Sequence, residues 1–167
     1  IIMVAGFRIE KDHETLIKVV KKLPEGYKLQ LVGDGYRREI IESLIKQLDI
    51  ESKVKLLGIR TDVYSLLKMS DIAVMSSHWE GFGLAAAEAM AAGVPLIASN
   101  VEGLAQVVGN SGVLFEKGNV EDLRKKILEV MENTERNQEL VSLGYLKANN
   151  YDIKKMVNKT LEFYKCI

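Results

Sequence analysis

The sequence is poor in residues that staple, ligate or anchor a chain. Its one cysteine, Cys166, stands beside the C-terminus, so no disulfide can close within the chain, and a reducing, cytoplasmic setting is expected. The two histidines, His13 and His78, lie far apart, with no Cys/His cluster or Asp-x-Asp pair, so no metal site is expected. Charge of either sign is not in excess: 23 Lys and Arg balance 23 Asp and Glu, which removes the electrostatic case for binding nucleic acid. No apolar run approaches the roughly 18 residues of a membrane span, and no signal peptide is visible. Gly-x-x-x-x-Gly-Lys-Ser/Thr is absent, and Gly6-Phe7-Arg8-Ile9-Glu10-Lys11, after the first apolar run, does not match the dinucleotide fingerprint. Neither a Ser-His-Asp set nor a nucleophile elbow is readable. Internal repeats and low-complexity segments are lacking too.

What is present is an ordinary globular composition, 47% hydrophobic and 28% charged over 167 residues, enough for one domain spanning 1–167. The opening Ile1-Ile2-Met3 already lies inside a strand-like run, so a fragment of a longer protein is expected. Apolar runs predict strands over 2–5, 28–32, 54–57, 72–75, 95–98 and 112–115. Helical spacing predicts helices after Asp12, over 36–48, from Asp62 to Met69, over 84–92, over 102–108 and over 120–132. Another is expected over 135–148, interrupted or ended near Gly144, and a last one over 153–165 capped by Asp152.

The strands are uniformly apolar and alternate with helices. That pattern predicts an α/β fold, a three-layer Rossmann-like domain around a six-stranded parallel sheet in the order 3-2-1-4-5-6. In that order the sheet reverses between strands 1 and 4, and ligands bind beyond the carboxyl ends of the strands there. Gly6-Phe7-Arg8 leaves strand 1 at that point, and Glu80-Gly81-Phe82-Gly83 leaves strand 4. A glycine loop opening a helix presents unpaired N–H groups and a positive dipole end, which suits a phosphate. Glu80 is repulsive to phosphate, so its expected partner is a hydroxylated group such as a sugar, the bland alternative being a solvated loop carboxylate. Glu88, one turn inside an alanine helix, is expected to aim back at the loop and to accept ribose hydroxyls, or else to cap a backbone group in the core. Arg8 and Lys11 could neutralise a diphosphate, or be solvated at a helix start. Gly33-Asp34-Gly35 reads as a strand-end turn lining a nucleotide, and Trp79 as packing at the loop base.

The block from Glu80-Gly81-Phe82-Gly83-Leu84 through Glu88-Ala89-Met90-Ala91-Ala92-Gly93-Val94-Pro95 resembles the Glu-x7-Glu signature of retaining GT-B glycosyltransferases, family 4. Val4-Ala5-Gly6-Phe7-Arg8-Ile9-Glu10-Lys11-Asp12-His13, Leu31-Val32-Gly33-Asp34-Gly35, Val54-Lys55-Leu56-Leu57-Gly58 and the segment Tyr151-Asp152 to Tyr164 extend the likeness over nearly the whole chain. The resemblance implies one half of a GT-B fold, the nucleotide-sugar domain, with residues 150–167 as its closing helix and the N-terminal acceptor domain absent. It implies that Glu88 holds the ribose, that Gly81, Phe82, Gly83 and Leu84 meet the diphosphate and donor sugar, and that Glu80 binds the sugar ring. Arg8 and Lys11 would face the diphosphate in place of a metal, so no cofactor is implied, and Gly6, Gly33, Leu57 and Gly58 would line the nucleotide. Two departures stand out: Gly6 where many relatives carry Arg, and Gln106 where they carry a carboxylate.

The implied reaction moves a sugar from a nucleoside diphosphate, by family frequency UDP, to an acceptor hydroxyl with retention. Implied partners are the donor, the missing N-terminal domain and an acceptor glycan or lipid-linked sugar, in surface polysaccharide or glycolipid synthesis. The implied location is cytoplasmic, the full enzyme sitting peripherally at the inner face of the plasma membrane. The competing readings are a non-catalytic nucleotide-binding module of the same fold and a sugar-nucleotide epimerase.

Overall fold

In the computed structural model, which describes residues 1–165, the six apolar runs form six strands: β1 (Ile2–Val4), β2 (Leu29–Val32), β3 (Val54–Gly58), β4 (Ala73–Met75), β5 (Leu96–Ser99) and β6 (Val113–Phe115). Cys166 lies outside the described residues. The strands pair in parallel in the order β3-β2-β1-β4-β5-β6, as the apolar pattern and right-handed crossovers require. β1 matches β2 over three residue pairs but meets β4 at Ile2 and Ala73 alone. The pairing is therefore shortest where the strand order turns, the point at which the sequence pattern places a ligand crevice.

Alternate strand residues feed two cores. Met3, Leu29, Leu31, Val74 and Ile97 pack with helices α1 (His13–Lys22), α2 (Arg38–Gln47) and α6 (Val120–Glu132). Ile2, Val32, Met75, Leu96 and Ala98 face the other way, onto α3 (Val63–Lys68), α4 (Leu84–Ala91) and α5 (Glu102–Val108). Each fully buried Leu or Ile contributes roughly 2 kcal/mol by leaving water. α4 lies close because its inward side chains Ala86, Ala87 and Ala89 are small.

The helix expected after Asp12 forms with Asp12 as its cap, and two other expectations need correction. Between β1 and α1 the chain makes a 3-10 turn, Ile9–Lys11, and Asp12 then caps α1 by accepting from the Thr15 N–H at 3.2 Å. The second helix starts at Arg38, because Arg37 N–H donates to the Phe7 carbonyl at 3.2 Å and holds the preceding residues against the first loop. Gly144 does not interrupt its helix: α7 (Thr134–Ala148) is continuous. A Cβ there would stand 3.3 Å from Met90 Cγ and 3.5 Å from the Ser111 carbonyl, so the glycine serves close packing of α7 on α4. Past a 3-10 turn at Asn149–Tyr151, α8 (Ile153–Lys165) follows, with Asp152 accepting from the Lys154 N–H at 2.7 Å. No described residue of α8 is buried.

Candidate functional site

Two loops close over the switch point, one from β1 and one from β4. Ser76 Oγ donates to the Asp12 carbonyl at 2.8 Å, and His78 N–H donates to the Glu10 carbonyl at 2.8 Å. His78 Nε2 stands 3.5 Å from Asp12 Oδ2. These ties bring Lys11 onto Glu80, and Lys11 Nζ is ion-paired to Glu80 Oε2 with only 20% and 15% of the two side chains exposed. The two residues expected to face different parts of a ligand thus face each other, at the mouth of one crevice.

The backbone of the Glu80 loop is fixed from behind. A Cβ on Gly103, in the first turn of α5, would lie 2.0 Å from the Glu80 carbonyl oxygen and 2.6 Å from that of Gly81. No other residue fits this contact. The loop then ends at Gly83, whose φ of 84° is natural to glycine, and α4 begins. The Ala86 N–H returns to the Gly83 carbonyl at 2.9 Å, which leaves the N–H groups of the loop and first turn for another acceptor.

The second and third strands supply the remaining wall. Gly33 N–H donates to the Gly58 carbonyl at 2.8 Å, and Phe7 N–H to the Asp34 carbonyl at 3.0 Å. Gly33 and Gly35 are pressed on the first loop: a Cβ on either would strike the Ala5 or Phe7 carbonyl at 2.1 and 2.5 Å. Leu57 is half-buried beside them, while Ile59 is exposed and Arg60 is held by Asp62 through two bonds of 2.8 Å. The Arg60 hydrogen bond and charge hold the Asp62 carboxyl below its usual range.

The structure does not gather every candidate. Arg8 points outward with 64% of its side chain exposed and only Glu10 near, at 3.9 Å. Its Nε lies 3.6 Å from where a Gly6 Cβ would stand, so Arg8 covers the space that Gly6 leaves open. Glu88 is exposed, not the buried cap allowed for in the sequence, because it shares the outer stripe of α4 with Leu84 and Ala91. It lines a groove of about 250 Å³ with Leu84, Tyr145, Tyr151 and Asp152. Phe82 sits edge-on to Tyr151, centroids 5.1 Å apart, and ties the loop to that groove. Trp79 does not pack at the loop base: it is 69% exposed, while Ser76 and Ser77 before it are buried.

Behind the crevice His13 is buried edge-on to Phe7, ring centroids 5.0 Å apart. Burial, partly offset by the Glu14 carboxylate, lowers its pKa to about 4. Burial pushes the Glu14 carboxyl up, but the Arg37 hydrogen bond and charge outweigh it and hold that carboxyl below its usual range. Sequence reasoning foresaw Asp12 as a helix cap but missed the tie from Ser76 to its carbonyl and the part played by Gly103. A glycine one residue into a helix was the one available signal.

The fold and its loops define a Rossmann-like domain with a helix N-terminus and a cation–carboxylate pair at its switch point. Residues 1–147 match the family described as glycosyl transferases group 1, and the chain belongs to that family. An uncharacterised glycosyltransferase of Methanocaldococcus jannaschii is 33% identical over 167 residues, covering 98% of this chain and 47% of that protein. HepE of Anabaena, solved with UDP-glucose, superposes with a TM-score of 0.92 at 24% identity, over 99% of this chain and 49% of its own. A variant of S. aureus TarM, solved with fondaparinux, alpha-GlcNAc-glycerol and UDP, gives 0.86 at 26% identity, over 96% and 34%. The chain thus spans about half, or less, of the proteins it matches. Among the described residues, no helix is long and apolar enough to cross a membrane.

Proposed function

We propose that this chain is the donor-binding part of a glycosyltransferase, one that takes a nucleoside-diphosphate sugar and passes the glycosyl group to an acceptor hydroxyl with retention. The observation that carries the reading is the Lys11–Glu80 pair, set at the switch point before the α4 N-terminus. A diphosphate there meets the Lys11 ammonium and the free N–H groups of residues 81–84, and Arg8 can reach it from above Gly6. These groups offset the charge that develops on the leaving oxygen, the part a divalent cation plays elsewhere. Glu80 takes donor-sugar hydroxyls and favours positive charge at the ring. Glu88 takes the ribose hydroxyls, and Gly6, Gly33, Leu57 and Gly58 enclose the nucleotide. Retention follows the likeness of the Glu80-to-Glu88 block to retaining enzymes. UDP is the proposed nucleotide, in keeping with the UDP held by the TarM variant.

Because the chain spans 47% of its Methanocaldococcus relative, the acceptor, a glycan or lipid-linked sugar of a surface polysaccharide or glycolipid, is proposed to be held by the other half of a longer protein. By itself the chain should bind donor and transfer little. Titration calorimetry with UDP, GDP and ADP, with and without chelator, tests this. Binding of one nucleotide, unchanged by chelator, is the expected result. Binding of none, or only with a metal, would overturn it. Glu88→Ala should weaken the bound nucleotide about tenfold, from loss of charge-assisted hydrogen bonds.

A further inference from the structure

We propose that the Lys11–Glu80 ion pair is a latch that makes the crevice favour a sugar-bearing nucleotide over the bare nucleoside diphosphate. The inference rests on the donor-site reading above and adds a rule for which ligand the site accepts. Lys11 Nζ is bound to Glu80 Oε2, and both side chains are largely out of water. Both backbones are tied where they stand. The Lys11 turn is held by Ser76 and by the His78 N–H, and the Glu80 carbonyl is pressed against Gly103. With both backbones tied, the pair opens by a side chain swinging away, the four-carbon stem of Lys11 being the longer of the two, and not by the loops parting.

A bare diphosphate entering the crevice attracts Lys11. Glu80 then loses its counter-charge where water is scarce, and a second anion stands beside it. Both effects oppose the bare nucleotide. A nucleotide carrying a sugar brings hydroxyls, which donate to Glu80 and replace what the lysine gave. The same carboxylate therefore penalises one ligand and stabilises the other. Once the sugar has left, Glu80 competes for Lys11 and favours departure of the diphosphate.

Calorimetry with UDP and UDP-glucose on the native chain and on Glu80→Gln, Lys11→Gln and the double variant tests the latch; if GDP or ADP proves to be the nucleotide bound, it and its glucose ester replace them. Glu80→Gln should tighten the bare diphosphate about fivefold, the worth of a partly buried pair, and weaken its glucose ester. On the Lys11→Gln background Glu80→Gln should tighten the diphosphate by less than it does in the native chain, because no pair remains to release and only the repulsion between the two anions is relieved. Diphosphate binding that Glu80→Gln leaves unchanged or weakens would overturn the latch while leaving the donor site standing. A native chain that binds none of the three diphosphates would remove both. Should Glu80→Gln fail to fold, Glu80→Asp, which draws the carboxylate back by one methylene, must shift the diphosphate in the same direction, or the latch is wrong.

Discussion

Helices α4 and α8 are opposites in sequence and in setting. α4 carries one charge, Glu88, and no apolar stripe, yet Ala86, Ala87, Ala89 and Met90 are buried. α8 has the sharper stripe, with Ile153, Met156, Val157, Leu161 and Tyr164 at helical spacing, and every one of them is exposed. Small residues on all sides let α4 be gripped by sheet, α5 and α7 at once. A stripe states only which side of a helix is to be covered. Among the described residues nothing covers that of α8, so its amphipathic pattern and its burial part company. The candidate crevice lies beside α4, whose core shares the stability with the one under α1, α2 and α6, while α8 buries nothing.

The comparison can be broken or sharpened in three ways. Gly103→Val inserts a branched side chain against the backbone behind α4, and should cost about 3 kcal/mol in urea unfolding as well as nucleotide binding. A variant that folded and bound normally would show that the loop is not held there.

Acid should act on the same body through His13. Its folded pKa, about 4, lies below the ordinary 6.5, so the unfolded chain binds the proton more readily. This contribution is full above pH 6.5 and is lost as pH falls toward 4, amounting to about 2 kcal/mol between pH 7 and 4.5. Glu14, held below its ordinary value, adds its own loss only at lower pH. Urea titrations at the two pH values should show the drop, and His13→Leu should flatten it.

The smallest effect is expected on α8. Leu161→Gln with Phe163→Ser should alter the unfolding free energy of the chain by no more than about 0.5 kcal/mol. A loss of several degrees in Tm would mean that α8 is packed after all, and the contrast would fall.

Much of the fold was legible because a parallel sheet covered on both faces leaves a plain trace, namely short apolar runs between helical periods. The bounds read for α5 and α6, 102–108 and 120–132, are those observed. Gly144 misled because a glycine that ends a helix and one that lets two helices touch look alike until the neighbour, Met90, is known. In the crevice, the strand order was enough to put the Gly6 and Glu80 loops side by side. It could not reveal that Lys11 and Glu80 pair with each other, since both had been matched to an outside ligand. Trp79 was read as packing from its type alone, whereas it stands exposed and the two serines before it are buried. Local pattern tells which element forms; which side chains meet across 69 residues depends on loop paths that no period encodes.

The ties that build the crevice have a consequence for how the protein is made. Lys11 waits for Glu80, Asp12 for Ser76, and the Glu80 loop for Gly103. In a chain leaving the ribosome the turn after β2 can soon meet the first residues of the β1 loop, but Lys11 waits 69 residues for Glu80, and the Glu80 loop waits further for Gly103. The crevice is thus among the later parts to assemble, and a nascent chain stopped before Gly103 should carry strands and helices without a place for a nucleotide.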